Sequence, residues 1–356
     1  MVNGEWGILS VAKKIYSFIT TVFYCITLLH YLKGMFYQLV KVIARIAIPF
    51  YCRDIKINKK ELLKSKGPLL LAVNHPNSFL DAVILCTLFN QPVYSLTRGD
   101  AFNGTFISAI LRSLKMLPVY RVSEGVENLE GNYTTFNTCT EIFKQGGMVL
   151  IFSEGRSENE WHLRPLKKGT ARLAIAAWQQ NIALSVLPIG VNYNSFNLFG
   201  KNVHVNMGEV IELKTMVNSF KDNGRLLNEL TGTIQQQLQL LVYEIDKNNH
   251  QKKAATFQIT MSAVKKTILL LPGTAGLLLH WPLYIFLKKM SLKRTFLEGH
   301  FDSIMVGLLI AIYPFYLLLW ALALYLFFGG YWGVALFIVL PFFAWCYVQI
   351  KQQIDK

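Results

Sequence analysis

Along the middle of this chain, apolar residues follow two patterns, one typical of buried strands and one typical of helices. Between Gly67 and Leu213, short apolar runs typical of buried strands follow segments with helical spacing. Strands separated by helices in this order predict an α/β fold with a largely parallel sheet flanked by helices. The predicted strands are residues 68–73, 93–97, 116–120, 148–152, 184–191, 203–207 and 209–213, and the predicted helices are residues 78–89, 105–114, 132–145, 169–180 and 221–248.

The N-terminal end of the chain is apolar in a different way. Residues 15–32 form an apolar stretch, and residues 35–50 form a basic amphipathic stretch. No small-residue cleavage site follows the apolar stretch, so a signal peptide is not predicted. The pattern indicates membrane-associated helices that either span the bilayer or lie at its surface.

Three apolar segments follow a basic linker at residues 250–253. Two of them, residues 303–328 and 331–350, are each long enough to cross about 30 Å of hydrocarbon and meet at Gly329-Gly330. The segment before them, residues 267–287, is flanked by basic pairs and is interrupted by Pro272, Gly273, Gly276 and Pro282. The basic pairs predict that both ends lie on the cytoplasmic side, and a re-entrant or interfacial segment with breaks in its backbone fits that better than a straight span.

These patterns divide the chain into three regions. Residues 1–50 are predicted to be a membrane-associated helical region and residues 51–248 a catalytic α/β domain. Residues 249–356 are predicted to hold the linker, the interfacial or re-entrant segment and a transmembrane hairpin. The basic residues beside the apolar segments predict an integral membrane protein whose catalytic domain lies on the cytoplasmic face.

Composition agrees with a membrane protein. The chain has 356 residues, of which 53% are hydrophobic and 16% charged, whereas soluble domains carry about 25% charged residues. The net charge is +15, and its clustering beside apolar segments favours membrane lipids over nucleic acid as the anionic partner. Five scattered cysteines without a Cys-x-x-Cys pair predict neither a disulfide framework nor a zinc site.

The strongest candidate for chemistry is a histidine in the turn after the first predicted strand. His75 is followed six residues later by Asp81, and a histidine oriented by a carboxylate can remove a proton from a hydroxyl. No Gly-x-Ser-x-Gly motif is present, so direct attack by a substrate alcohol is expected. The alternative is purely structural: His75 fills a turn, and Ser78 with Asp81 forms a capping box.

A second polar cluster follows the predicted strand at residues 148–152. Gly155 can turn backbone amides toward an anion, and the guanidinium of Arg156 suits phosphate oxygens. Because ligands collect at the carboxyl ends of parallel strands, this loop is expected near His75. The alternative is a solvated basic loop. Further candidates nearby are Glu154, Ser157, Arg164, Lys167, Lys168 and, after residues 116–120, Arg121.

These polar segments resemble those of a known family, the glycerophospholipid acyltransferases. Four segments are similar to the blocks of that family and occur in the same order. They are Asn74-His75-Pro-Asn-Ser-Phe-Leu-Asp81 for the Asn-His-x4-Asp block, Pro118-Val-Tyr-Arg121, Phe152-Ser-Glu-Gly155 for Phe-Pro-Glu-Gly, and Leu187-Pro-Ile-Gly190. The spacing from Glu154 to Gly169 is closer to that of the fungal glycerol-3-phosphate acyltransferases.

The resemblance implies roles for individual residues. His75 would deprotonate a glycerol hydroxyl and Asp81 would orient it. The glycerol phosphate would be bound by Arg121, Glu154, Gly155 and Arg156, with supporting roles for Asn74, Ser157, Arg164, Lys167 and Lys168. Ser153 departs from the family's proline, and either Arg156 or Arg164 would take the conserved phosphate role.

The resemblance also implies the reaction. The acyl donor would be acyl-CoA or acyl carrier protein, used as a co-substrate, with no cofactor and no metal. The acceptor would be 1-acyl-glycerol-3-phosphate or glycerol-3-phosphate. Two alternatives stay open: another lysolipid acceptor, or a catalytically silent membrane protein that binds lipid. No oligomeric state is predicted.

Overall fold

A computed structural model describes residues 34–120, 129–219, 223–294, 301–330 and 332–351. Within these ranges the chain forms one eight-stranded sheet, and helices cover both of its faces. The strands are β1 (Cys52–Ile57), β2 (Leu69–Val73), β3 (Val93–Arg98), β4 (Met116–Val119), β5 (Met148–Phe152), β6 (Ser185–Tyr193), β7 (Lys201–Met207) and β8 (Ile211–Glu212).

The order of the strands across the sheet is β1-β7-β6-β2-β5-β3-β4, and the short β8 pairs with β6. The antiparallel pairs are β6 with β7 and β6 with β8, and the other neighbours run parallel. The predicted α/β fold with a largely parallel sheet is therefore confirmed.

Ten helices accompany these strands in the described ranges. All five predicted helices of the domain, α2 to α6, begin within three residues of the predicted start. The helices are α1 (34–51), α2 (Ser78–Leu88), α3 (Thr105–Ser113), α4 (Leu129–Lys144), α5 (Gly169–Gln179), α6 (Asn223–Leu241), α7 (His250–Thr256), α8 (Ala263–Arg294), α9 (Phe301–Phe328) and α10 (Leu336–Ile350).

Strand β2 lies at the centre of the sheet and separates two cores. All five of its residues are buried, and because successive side chains point to opposite faces, they divide between the cores. Leu69, Leu71 and Val73 pack with α2 and with parts of α8 and α9. Leu70 and Ala72 pack with α4, α5 and α6. A strand buried on both faces explains the continuous apolar run in the sequence.

Two predicted boundaries in the second half of the domain are wrong. The strand expected at residues 209–213 is limited to Ile211–Glu212, and a 3-10 helix, Leu213–Ser219, follows it. The helix expected at residues 221–248 ends at Leu241, where the backbone carbonyl accepts hydrogen bonds from the side chains of Asn192 and Asn206.

The first described helix, α1, has one face on the domain and one apolar face exposed. Its basic residues bind the end of α2: the buried Lys41 ammonium donates to Phe89 O over 2.6 Å, and the guanidinium of the exposed Arg45 donates to Thr87 O over 2.7 Å. These cations satisfy carbonyls at the C-terminus of α2, where positive charge is favoured. The exposed apolar residues are Met35, Phe36, Leu39, Val42, Ile43 and Ile46, and residues 15–32 lie outside the described residues.

The C-terminal helices contain the main departure from the sequence pattern. Helix α8 runs without interruption through Pro272 and Pro282, so the expected break in the backbone is not present. Its glycines serve close packing instead. A Cβ on Gly276 would lie 2.1 Å from the Phe343 carbonyl oxygen of α10, and one on Gly273 would lie 2.5 Å from Ile350. Small residues of this kind let membrane helices approach closely.

Three helical segments are long and apolar enough to cross a membrane: Ala263–Leu292, Phe301–Phe328 and Trp332–Ile350. Between the second and third, Gly329 and Gly330 both adopt φ of +69°, a left-handed conformation that favours glycine. The first turns of α9 and the last turns of α8 pack in the same core as β2 and α2. These apolar C-terminal helices therefore contact the α/β domain directly.

Candidate active site

The turn between β2 and α2 brings His75 and Asp81 into direct contact. The Nδ1 atom of His75 lies 2.9 Å from Oδ2 of Asp81. The first turn of α2 carries the carboxylate back toward the end of β2, which explains how a six-residue separation closes to hydrogen-bond distance. An ionised carboxylate only accepts hydrogen bonds, so Nδ1 carries the proton and Nε2 keeps its lone pair.

The remaining acceptor capacity of Asp81 is occupied by two further donors. The Tyr193 hydroxyl, at the end of β6, donates to Oδ1 over 2.7 Å, and the backbone N–H of Asn77 donates to Oδ2 over 2.8 Å. The side chain of Asp81 is fully buried. Burial and then the Asp81 charge raise the pKa of Tyr193 well above its ordinary value, so this hydroxyl stays protonated as a donor.

The cap of α2 differs from the predicted capping box by one residue. The N-cap is Asn77, and Ser78 is the first helical residue, with φ of 50°. The carboxylate of Asp81 does reach back to the N-cap N–H, as predicted. The cap and the His75 contact use the same oxygen of Asp81, so the structural role and the catalytic role coexist in one carboxylate.

The ring of His75 is held on its flat side by Phe152. The two rings are stacked, with centroids 3.6 Å apart and planes 8° from parallel. Stacking and the Asp81 contact together fix both the plane and the rotation of the imidazole. No described residue donates to or accepts from Nε2, and the side chain is 17% exposed. The imidazole is therefore oriented and accessible from one edge.

The loop after β5 is attached to the His75 turn by several hydrogen bonds. Ser78 N–H donates to the Ser157 hydroxyl over 2.7 Å, and Glu158 N–H donates to His75 O over 3.2 Å. The Asn159 side chain donates to Pro76 O over 2.8 Å. The parallel register places Val73 opposite Phe152, so both loops leave the same edge of the sheet. The predicted proximity of these two loops is confirmed.

Glu154 organises this loop, and both of its carboxylate oxygens have hydrogen-bond partners. Its carboxylate accepts from the backbone N–H of His75 over 3.1 Å and from the backbone N–H of Arg164 over 3.2 Å. It also forms an ion pair of 3.1 Å with the Arg164 guanidinium, which is 12% exposed. The same guanidinium contacts the carbonyl oxygen of Arg156. Glu154 and Arg164 therefore form an internal brace for the loop.

The accessible cations are on the outer side of the same loop. The Arg156 side chain is 64% exposed and lies 3.3 Å from Glu158. Lys167 and Lys168 are exposed and form no ion pair with a described residue. Gly155 has φ of +75°, and a Cβ there would lie 3.0 Å from Cγ of Lys167. Arg121 lies outside the described residues.

Two sequence features near the site have structural explanations. The Asn74 side chain pairs with the backbone of Val191, accepting over 2.7 Å and donating over 3.1 Å, and so extends the pairing of β2 with β6. The backbone N–H of Ser153 donates to Val73 O over 2.8 Å, a bond that the family's proline cannot make. Asn74 is buried, and both groups of its amide are used in this pairing.

The sequence reasoning missed three residues of the site: Phe152, Tyr193 and Asn77. Phe152 was assigned to a strand and to a family block without a role in the site, and Tyr193 lay two residues beyond the predicted end of its strand. Asn77 was inside the recognised block without a role.

No metal-binding cluster of three or more His, Cys, Asp or Glu side chains occurs in the part of the chain that the structure describes.

Comparisons with known proteins identify the same segment. Residues 54–192 match the family model described as Acyltransferase, a range that contains all four sequence blocks. A chloroplastic 1-acyl-sn-glycerol-3-phosphate acyltransferase of Brassica napus is 26% identical over 161 residues, covering 45% of this chain and 44% of the relative. Glycerol-3-phosphate O-acyltransferase 2 of Saccharomyces cerevisiae is 26% identical over 208 residues, covering 52% and 27%.

A 1-acyl-sn-glycerol-3-phosphate acyltransferase of Borreliella burgdorferi is 24% identical over 199 residues, covering 55% of this chain and 75% of the relative. The crystal structure of the acyltransferase PlsC from Thermotoga maritima aligns with a TM-score of 0.42 and 14% identity, covering 60% of this chain and 83% of that one. The chain spans less than half of the length of the Brassica and Saccharomyces relatives. Over residues 54–192 the chain is therefore similar to the Acyltransferase family and to relatives named as acyltransferases of glycerol phosphate lipids.

Proposed function

We propose that this protein is a membrane-bound O-acyltransferase of phospholipid synthesis. It transfers a fatty acyl group from acyl-CoA or acyl carrier protein to a hydroxyl of 1-acyl-glycerol-3-phosphate or glycerol-3-phosphate. The observation that carries the proposal is the oriented His75–Asp81 pair, joined by hydrogen bonds to a cationic loop. The names of the Brassica, Saccharomyces and Borreliella relatives supply the two acceptors.

The reaction follows from the free Nε2 of His75. This nitrogen takes the proton of the acceptor hydroxyl while the alkoxide oxygen attacks the thioester carbonyl carbon. The tetrahedral intermediate collapses, the C–S bond breaks, and the thiolate leaves. The imidazolium, stabilised by Asp81, then returns its proton to the thiolate. No covalent enzyme intermediate is formed.

The cations of the β5 loop provide the acceptor site in this proposal. Arg156 is exposed and can form a bidentate contact with a phosphate, and Lys167 and Lys168 add charge beside it. Arg164 is held by Glu154 and supports the loop. Arg156 therefore takes the phosphate role that the sequence left open between these two arginines.

Membrane attachment suits amphiphilic substrates and products. The three apolar segments keep the site close to the bilayer, so a lysolipid or fatty acyl chain need not cross water. The basic residues beside the apolar segments support a cytoplasmic location for the catalytic domain in this proposal.

An acceptor panel tests the proposal. Purified full-length protein in detergent is supplied with acyl-CoA or acyl carrier protein and with glycerol-3-phosphate, lysophosphatidate or other lysophospholipids. We expect acylation of a glycerol phosphate acceptor, and a loss of about 10²–10⁴-fold in His75→Ala because general base catalysis contributes that much. If only other lysolipids were acylated, the acyl-transfer mechanism would stand but the proposed glycerol phosphate acceptor would be refuted. Full activity in His75→Ala would refute the mechanism.

The arginine assignment gives a second expectation. Arg156→Ala should raise KM for the phosphate-bearing acceptor about tenfold or more, because a charge-assisted contact is worth about 1.5–3 kcal/mol, while thermal stability is retained. Arg164→Ala should instead lower the melting temperature, because it leaves the buried Glu154 carboxylate without its ion pair. The reverse pattern, measured by steady-state kinetics and thermal unfolding, would contradict the assignment.

A further inference from the structure

A buried carboxylate at the start of α9 lies outside the proposed catalytic pair. Asp302 is 1% exposed and belongs to the first turn of a helix that is otherwise almost entirely apolar. A charge buried without compensation is strongly destabilising, so such a residue is retained only with partners. The identity of those partners therefore indicates what Asp302 does.

Three donors from three parts of the fold converge on this carboxylate. The Lys201 ammonium, at the first residue of β7, forms an ion pair with it, and both side chains are fully buried. The Tyr51 hydroxyl, at the end of α1, donates to Oδ1. The side-chain amide of Asn77 donates to Oδ2 over 2.6 Å. Asp302 thus joins α9 to both the sheet and the turn that precedes α2.

Asn77 connects this cluster to the catalytic pair. It is 1% exposed, its side chain bonds Asp302, and its backbone N–H donates to Oδ2 of Asp81. That same oxygen contacts Nδ1 of His75. A displacement of the Asn77 side chain would move the N–H that anchors Asp81, and the imidazole orientation would change with it.

A second connection reaches the other oxygen of Asp81. The Lys201 ammonium lies 5.8 Å from the centre of the Tyr193 ring, and the Tyr193 hydroxyl donates to Oδ1. Both oxygens of Asp81 are therefore held by groups that also contact the Asp302–Lys201 pair. Packing of Met305 and Val306 with Leu80 and Ile84 in one core fixes α9 against α2 beside these contacts.

We propose that Asp302 is a positioning residue for the His75–Asp81 pair. The pair holds its reactive geometry only when α9 is docked on the α/β domain and the Asp302 oxygen accepts from Asn77. The inference rests on the proposed function, because it assigns Asp302 a part in the same reaction. It makes turnover depend on the seating of a membrane-spanning helix.

The test compares two double variants in the full-length protein. Lys201→Met/Asp302→Leu removes both charges and the acceptor for Asn77, whereas Lys201→Met/Asp302→Asn removes both charges and keeps a side-chain oxygen. Both are expected to fold, because apolar replacement of a buried ion pair is often tolerated. We expect kcat of the leucine variant to be about 10–100-fold below that of the asparagine variant. KM for both substrates should change by less than about twofold, because substrate binding is not altered.

A third variant removes the link alone. Asn77→Ala keeps the backbone N–H that donates to Asp81 and deletes the amide that bonds Asp302. It should lose kcat to the same extent as the leucine double variant, with unchanged KM and a cooperative thermal transition. If a double variant does not fold, Asn77→Ala tests the proposal by itself. A kcat equal to that of the native protein overturns the proposal, and a loss of kcat with unchanged KM supports it.

Hydrogen–deuterium exchange gives a readout that does not require turnover. In nanodiscs the backbone amide of Asn77 should exchange faster in the leucine double variant and in Asn77→Ala than in the asparagine double variant, because its bond to Asp81 is loosened. If the native chain acylates no acceptor, the proposed function fails and exchange alone judges the positioning role. The positioning role of Asp302 is overturned if the two folded double variants have the same kcat, or if their Asn77 amides exchange at the same rate.

Discussion

At the residue scale, the site depends on how completely the carboxylate of Asp81 is satisfied. One oxygen serves His75 and the N-cap, and the other serves Tyr193. A buried carboxylate with three donors keeps a single position, and it therefore fixes the imidazole more firmly than one contact could. The sequence contained His75 and Asp81 in a recognisable block, but the tyrosine that completes the arrangement is 112 residues from Asp81.

We expect Tyr193→Phe to lower both stability and turnover. The change leaves Oδ1 of Asp81 buried without its donor, which should reduce the free energy of unfolding by about 1–3 kcal/mol. The looser carboxylate should also lower kcat while KM stays near its native value. Thermal unfolding and steady-state kinetics measure both effects. The control is Tyr133→Phe, because Tyr133 is 75% exposed on α4; equal behaviour of the two variants would contradict the expectation.

At the element scale, glycine in the C-terminal helices has a different meaning from the one its sequence context indicated. Gly273 and Gly276 were interpreted, with two prolines, as breaks in the backbone, but α8 is continuous. The local sequence cannot distinguish a glycine that bends a helix from one that lets a neighbour approach. Only the position of α10, which packs along α8, shows that close approach is the reason.

Gly276→Ala tests that explanation. An added Cβ would meet the Phe343 carbonyl oxygen at 2.1 Å, so the two helices must separate, and we expect a loss of about 1–3 kcal/mol in stability. The matched control is Gly307→Ala in α9, where no atom lies within 4 Å of the added Cβ. That control should be neutral or slightly stabilising because alanine favours helix. Melting temperatures in detergent compare the two; an equal shift would refute close packing.

At the scale of the whole molecule, the α/β domain and the apolar C-terminal helices share one core. Leu283 and Leu287 of α8 and Met305 of α9 belong to the same buried cluster as Leu80 and Ile84 of α2. The division at residue 248 was drawn from composition and stays a prediction. The packing implies that this division does not separate two units that are independently stable.

Truncation provides the corresponding expectation. A chain ending at residue 260 loses α8, α9 and α10, exposes the apolar face of α2 and leaves Lys201 without Asp302. We expect it to aggregate or to lose cooperative unfolding even in detergent, because an unpaired buried charge and an exposed core are each strongly destabilising. A chain ending at residue 330 keeps those contacts and should retain a cooperative transition. Equal stability of the shorter and longer chains, measured by thermal unfolding, would contradict a shared core.

The sequence by itself determined what depends on near neighbours along the chain. The spacing of apolar residues gave the order and type of most elements, the length of the apolar runs gave the candidate membrane segments, and a short block gave His75 with Asp81. The tertiary structure decided which distant groups complete the site: Phe152 beneath the imidazole, Tyr193 on the carboxylate, and Asp302 behind Asn77. Local patterns record backbone preference and burial, whereas the partner of a buried polar group is fixed only when the strands and helices pack.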